Sequence, residues 1–358
     1  MKQKGKTGRK IVIGALAVLL AAIVILGVMF QGAVRSVFSV EKVDEYPLYT
    51  MDYKADYGLD EFMETGAAND QELVQFIIKK LMKGLPVKIT IPDLGCSTFR
   101  AQTPEGDSIF GRNFDNAYAP AMLVHTAPKN GYESISMVNL SFMGYGEDYL
   151  PDTVKDRILA LAVPYIPLDG INEKGLTVGV LQLNVEPTNQ DTGKTDINTT
   201  SAIRMLLDKA ADVGEALDLL QQYDMHSSAN SCYHFQISDA AGRSVIVEYV
   251  DNVFTVLEEE TPYQACTNFF LAEGDFFNIG GGQDRYQILM DGLKETDGVL
   301  TEEQGMDLLS AASQPLKPNE EGKITGTQWS AVYNNNDLTV DITMGLDYEN
   351  VYSYSIEK

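Results

Sequence analysis

The chain has 358 residues, with 51 acidic against 27 basic side chains and a formal net charge of −24 at pH 7. Such a surface is poorly disposed to phosphate backbones and anionic headgroups, so no nucleic-acid partner is expected. Three cysteines are too few for a disulfide scaffold, and His125, His226 and His234 lack metal-ligand spacing, so neither a metal nor another cofactor is expected.

Residues 1–10 carry Lys2, Lys4, Lys6, Arg9 and Lys10 with no acid, and Ile11 to Phe30 carries no charge. That run is long enough to cross a bilayer and longer than the apolar core of a cleaved signal, so 11–30 is expected to be a transmembrane anchor. The basic tail 1–10 stays cytoplasmic and the remainder lies outside as a single-pass, extracellular domain. A signal peptide cut near Gly32 or Ala33 is the alternative. Residues 31–95 read as stalk and pro-segment. The stalk runs to Lys54, a polar helix follows at Leu59 to Glu64, and an amphipathic helix lies near 70–82, with Leu73, Phe76, Ile77 and Leu81 on one face and Gly84 as its stop. Leu85 to Leu94 is extended, holds Pro86 and Pro92, and runs into Gly95-Cys96.

From Cys96 the pattern turns to short strands: Thr98 to Ala101, Ser108 to Asn113, Met122 to Thr126, Ser134 to Leu140 and Leu176 to Leu183. The 3.6-residue period then predicts one helix from Ser201 to Tyr223. Strands resume at Tyr233 to Ile237, Ser244 to Tyr249, Val253 to Leu257 and Tyr263 to Thr267. Helices follow at Arg285 to Leu293 and Glu302 to Ala312, then a hairpin, Trp329 to Tyr333 and Leu338 to Met344, and a last strand, Val351 to Ile356. Blocks of strands alternating with blocks of helix indicate an α+β domain over 96–358, with antiparallel sheets covered by helices.

Cys96 carries the chemistry. A turn at Pro104-Glu105-Gly106-Asp107 folds the next strand back as a hairpin and returns Arg112 and Asp115 toward the sulfur. Only a thiolate attacks, and a neighbouring guanidinium favours that form. The competing reading is a buried inert thiol beside a surface ion pair. Cys232 and Cys266 either pair or stay as buried thiols. Gly280-Gly281-Gly282 lacks the preceding strand and following Lys-Ser or Lys-Thr of a phosphate loop.

The blocks Cys96-Ser97-Thr98-Phe99-Arg100, Glu105-Gly106-Asp107 and Gly111-Arg112-Asn113-Phe114-Asp115 resemble the mature start of the choloylglycine hydrolases. These include conjugated bile salt hydrolases and penicillin V acylases. The same blocks resemble the related acid amidases that cleave N-acylethanolamines and ceramides. In family order come Asn172-Glu173-Lys174-Gly175-Leu176-Thr177-Val178, Cys266-Thr267-Asn268 and Asp284-Arg285-Tyr286. The resemblance implies an N-terminal nucleophile hydrolase: an αββα sandwich of two antiparallel sheets, here preceded by the transmembrane helix and pro-segment.

It also implies roles. Cutting between Gly95 and Cys96 would free the α-amine of Cys96 as general base, since an α-amine titrates near 7.7–8.0. Cys96 would then attack a linear amide carbonyl of a small N-acyl substrate and hold the acyl group as a thioester. Arg112 would lower the thiol pKa, Asp115 would orient the amine, Asn268 would donate to the oxyanion, and Arg285 would complete the polar shell. One position departs from the pattern: bile salt hydrolases carry asparagine after the Asn-Glu-x-Gly-Leu strand and penicillin acylases tyrosine, where this chain has Gln182, whose amide can also donate to the oxyanion. The pro-segment is expected either to remain as a non-covalent subunit or to leave. Homo-oligomerisation stays open, as do two other functions, acyl transfer to an amine and a non-catalytic binding domain with Cys96 uncut. Ile158 to Pro167 and the pair Phe269-Phe270 are candidate walls for an apolar acyl group.

Overall fold

The computed structural model describes residues 30–91, 95–319 and 322–357. The expected anchor at 11–30 and the basic tail lie outside them, apart from Phe30. Among the described residues no helix is long and apolar enough to cross a membrane.

In chain order these residues form a helix over 30–38 (α1), strands Glu41–Asp44 (β1) and Leu48–Tyr53 (β2), and helices Leu59–Thr65 (α2) and Asp70–Lys80 (α3). Strands Gly95–Gln102 (β3), Ser108–Ala117 (β4), Ala121–Thr126 (β5) and Ser134–Asn139 (β6) follow, then a 3-10 helix Asp156–Tyr165. Next come Pro167–Asn172 (β7), Thr177–Leu183 (β8), Thr195–Asn198 (β9), helices Thr199–Lys209 (α4) and Val213–Leu220 (α5), and Tyr223–His226 (β10). Cys232–Ser238 (β11), Ser244–Val250 (β12), Val253–Glu258 (β13), Gln264–Cys266 (β14), Asn268–Phe269 (β15) and Gly280–Gly281 (β16) lead to helices Gln283–Glu295 (α6) and Glu302–Ala311 (α7). The chain closes with Lys317–Pro318 (β17), Ile324–Asn334 (β18), Thr339–Met344 (β19) and Tyr352–Ser355 (β20).

Two sheets face each other. The first has nine strands in the order β1-β2-β5-β6-β7-β8-β11-β12-β13; the second runs β14-β3-β4-β18-β19-β20, with β17 beside β18. Strand alternation decides which side chains meet between them. Thr98 Oγ1 donates to Gln236 Oε1 across the gap at 2.5 Å, and Gly179 of the first sheet lies against Phe110 and Thr98 of the second. The opposite side of β3 and β4 presents Phe99 and Ile109 to Leu289, Leu293, Met306 and Leu309 of α6 and α7. On the outer side of the first sheet, Asn172 Nδ2 donates to the carbonyls of Leu207 and Ala210 of α4, at 3.0 and 2.7 Å. The layers are thus helix, sheet, sheet, helix. Gly111 is required here, because a Cβ would stand 2.0 Å from the Phe99 ring.

Four expectations need correction. Residues 41–53 are not a stalk: they form β1 and β2, and β2 pairs in parallel with β5. That pairing also means the first sheet is not purely antiparallel. The helix expected over 201–223 is two helices, because Ala210 is extended and Asp212 caps the second, its Oδ1 accepting from Glu215 N at 2.9 Å. Finally β7, whose Pro and Gly argue against a strand locally, is built between β6 and β8, where neighbours on both sides fix it.

The segment before Cys96 is packed into the core. Tyr57 Oη donates to Asp208 Oδ2 at 2.6 Å and Tyr53 Oη to the Leu161 carbonyl at 2.9 Å. Phe62, Phe76 and Tyr165 meet edge to face with centroids 5.2–5.6 Å apart, and Thr90 N donates to the Phe142 carbonyl at 2.8 Å. The 3-10 helix offered as an acyl wall therefore faces this segment. Phe62→Ala is expected to cost about 3–5 kcal/mol, read as a shift in the urea midpoint at unchanged slope.

Candidate active site

The turn at Thr103 to Asp107 closes as the sequence predicts: Thr103 N donates to the Asp107 carbonyl at 2.8 Å, and Gly106 takes φ 100°. The resulting hairpin sets Gly95 opposite Asp115, Cys96 opposite Phe114, and Thr98 opposite Arg112. Alternation then divides the site. The side chains of Cys96 and Arg112 lie between the sheets, whereas Asp115 points to the α6 side and meets the backbone of Gly95; a Cβ on Gly95 would lie 3.0 Å from that of Asp115.

Residues far apart in sequence converge on this strand. The Cys96 N–H donates to Asn268 Oδ1 at 2.8 Å. Arg285, in the first turn of α6, donates from Nη1 to the Cys96 carbonyl at 2.5 Å and to Asp115 Oδ2 at 3.0 Å, and from Nη2 to Asn268 Oδ1 at 2.8 Å. Thr327 Oγ1 donates to Asp115 Oδ1 at 2.6 Å. Asn268 Nδ2 donates to the main-chain oxygen of Gln182 at 2.8 Å. The Gln182 side chain donates to Ser231 Oγ at 2.6 Å, and its main-chain oxygen joins the network through Asn268. Arg112 Nη1 donates to the Val180 carbonyl at 2.6 Å, and its Nε stands 3.4 Å from Asp169 Oδ2. Among the described residues Arg112 Nη2 has no hydrogen-bond partner.

The structure therefore brings Cys96, Arg112, Asp115, Gln182, Asn268 and Arg285 together. Sequence reading missed Thr327 and Asp169. Asp169 sits in the unrecognised strand β7 and accepts from Tyr333 Oη as well as facing Arg112. A carboxylate inside the apolar run Pro167-Leu168-Asp169-Gly170-Ile171 was the available signal. Thr327 lies at a β-bulge between Thr327 and Trp329, which local sequence does not mark.

Electrostatics in the uncut chain oppose reaction. Cys96 has no exposed surface. Burial pushes its thiol up to about 11; Arg112 and Arg285 pull it down, and Asp115 and Asp169 push it up. Arg112 thus acts in the expected direction, yet desolvation outweighs it. Asp115 is also held above the ordinary carboxylate value by burial, with Arg285 and Thr327 opposing. The free cysteines are Cys96, Cys232 and Cys266, so the last two do not pair. Among the described residues no group of His, Cys, Asp and Glu could hold a metal.

Two outcomes follow. Alkylation of Cys96 in the uncut chain by iodoacetamide is expected to be slow at neutral pH and to accelerate toward about 11, as read by peptide mass. Arg285→Met leaves Asp115 buried without its cation and is expected to cost about 3–5 kcal/mol near neutral pH. Because the Asp115 value in the fold lies above its ordinary one, its favourable contribution is complete below the ordinary carboxylate range and is lost as pH rises through the folded value. Urea midpoints of Arg285→Met and the parent should therefore converge in acid and diverge as pH rises.

The chain is similar to known proteins in sequence and in fold. The family described as linear amide C-N hydrolases, choloylglycine hydrolase family, matches residues 96–269. Penicillin V acylase of Pectobacterium atrosepticum is 32% identical over 111 residues, covering 28% of this chain and 29% of that protein. Bile salt hydrolase/transferase of Clostridium perfringens is 25% identical over 178 residues, 46% of this chain and 50% of that protein. The matches span half or less of the length of these two curated relatives. The crystal structure of a mutant conjugated bile acid hydrolase from Clostridium perfringens superposes with a TM-score of 0.53 at 16% identity, covering 73% of this chain and 92% of that one. That last likeness concerns the fold, which is the layered α+β fold of the N-terminal nucleophile hydrolases.

Proposed function

We propose, from the match of residues 96–269 to the choloylglycine hydrolase family of linear amide C–N hydrolases, that this is a membrane-anchored cysteine hydrolase that activates itself by cutting Gly95 from Cys96. One observation carries the reading: Asn268, Arg285 and Asp115 converge on the backbone at Gly95 and Cys96 before any cut is made. The family match also begins at Cys96 itself. The anchor is supported by the charge-free run 11–30 behind a basic tail.

In the cutting step the Cys96 sulfur adds to the Gly95 carbonyl carbon, the carbon–nitrogen bond breaks, and the nitrogen takes up the thiol proton. Water then hydrolyses the thioester, leaving a carboxylate on Gly95 and a thiol and α-amine on Cys96. The new amine is held where the Cys96 N–H was, against Asn268 Oδ1, with Asp115 on the side vacated by Gly95. It serves as general base for its own thiol. The substrate is a small N-acyl amide. Cys96 forms the acyl thioester, the amine product leaves with a proton, and water resolves the intermediate. An amide nitrogen carries two hydrogens. Asn268 Nδ2 spends one on Gln182 and has the other for the oxyanion, so Asn268→Ala is expected to lower kcat about 100- to 1000-fold.

The leader is proposed to stay bound after the cut, because β1 and β2 are strands of the first sheet and α2 and α3 pack on Tyr165. Intact mass and N-terminal sequencing test both claims. Expected are two fragments, one starting at Cys96, that co-elute on gel filtration and separate only in denaturant, together with an uncut Cys96→Ala chain. A parent chain that stays whole, or cutting that persists in Cys96→Ala, would sink the self-processing reading. Hydrolysis by the processed chain is read on conjugated bile acids, phenoxyacetyl β-lactams and N-acylethanolamines.

A further inference from the structure

One unassigned feature of the core is a buried polar pair. His234 of β11 and Glu248 of β12 have no exposed surface, and His234 Nδ1 lies 3.1 Å from Glu248 Oε1. His234 Nε2 lies 2.6 Å from the main-chain oxygen of Thr267, the residue before Asn268. Glu248 reaches the other side of Asn268: Oε1 accepts from Leu271 N at 2.9 Å and Oε2 from Ala272 N at 3.0 Å. Burial raises the Glu248 carboxyl, but His234 and the two amides outweigh it and leave the group below its ordinary value. Both ring nitrogens of His234 are thus engaged, Nδ1 with the Glu248 carboxylate and Nε2 with the Thr267 carbonyl.

Polar side chains at this depth carry a desolvation cost that packed apolar residues would avoid. What the pair achieves is a clamp. Three hydrogen bonds tie residues 267–272 to strands of the facing sheet, on both sides of the residue that holds the Cys96 nitrogen. Thr267 Oγ1 extends the tie to the Gly282 carbonyl at 3.1 Å, at the turn that launches α6 and Arg285. Cys266 is not a second nucleophile served by this pair. Its Sγ lies 3.5 and 3.7 Å from the ring nitrogens, but both are committed to Thr267 and Glu248, and the sulfur has no exposed surface.

We propose that His234 and Glu248 are positioning residues for Asn268, fixing the segment 267–272 so that Asn268 Oδ1 stays on the Cys96 nitrogen and its amide stays available to the reacting carbonyl. The proposal rests on the reading of Cys96 as nucleophile, and its test separates the two. In the Cys96→Ala chain, which is expected to stay whole, hydrogen exchange followed by NMR is expected to find the Leu271 and Ala272 amides that Glu248 accepts from strongly protected. Glu248→Gln is expected to speed hydrogen exchange of the Asn268 side-chain amide at least tenfold while the β4 amides keep their protection. Unprotected Leu271 and Ala272 amides, or unchanged Asn268 exchange, overturn the clamp whether or not the parent is an enzyme. In the active chain, Glu248→Gln and His234→Leu are expected to lower the cutting rate and kcat about 10- to 100-fold with KM nearly unchanged. Adding Glu248→Gln to Asn268→Ala is expected to bring little further loss, and fully additive losses overturn the proposal. A parent chain that neither cuts nor hydrolyses sinks the function while leaving the two NMR readouts to decide the clamp.

Discussion

The Arg285 guanidinium is the contact on which the rest of the site depends. It joins the Cys96 carbonyl, the Asp115 carboxylate and the Asn268 amide oxygen, and so binds β3, β4, β15 and α6 into one polar unit inside an otherwise apolar region. A planar fork of donors suits this task, since each hydrogen bond fixes the direction of the next. Without it, a buried carboxylate and a buried amide oxygen would lose the cation that satisfies them. Arg112 does related work between the sheets, where it faces Asp169 and the Val180 carbonyl.

The surroundings of Cys96 are nearly balanced in charge, with two guanidiniums against two carboxylates, and burial tips the balance toward the neutral thiol. In the uncut chain the Cys96 thiol, the proposed nucleophile, is thus held protonated, and its nitrogen is an amide rather than an amine. Cutting at Gly95 would supply the missing base and open the backbone on the side that Asp115 faces. The same event that creates the terminus would thereby relieve the burial that keeps the thiol neutral. In this view the leader is not a removable cover, because it contributes strands to the larger sheet and aromatic contacts to its helical layer.

The legibility of the chain followed the range of the interactions. The β3–β4 hairpin was readable because the turn residues and the strand alternation lie within a few positions of one another, and that hairpin carries Cys96, Arg112 and Asp115. Helices α6 and α7 were readable from their period. The leader strands were not, since β1 and β2 are specified by neighbours that follow them in sequence, such as β5, and not by their own pattern. The break between α4 and α5 turned on the cap at Asp212, a local signal outweighed in the reading by an unbroken apolar stripe.

By itself the sequence marked Cys96 as the candidate nucleophile, the hairpin that returns its charged partners, and the ordered blocks that resemble the family, because each is written in contiguous residues whose chemistry needs no distant partner. Only the tertiary structure decided that the Gln182 main-chain oxygen accepts from Asn268, that Thr327 and Asp169 join the site, that His234 and Glu248 reach the residues flanking Asn268, and that the leader is part of the fold. Those facts depend on which strands become neighbours and which face of each is buried, and pairings over more than a hundred residues leave no mark at either end alone.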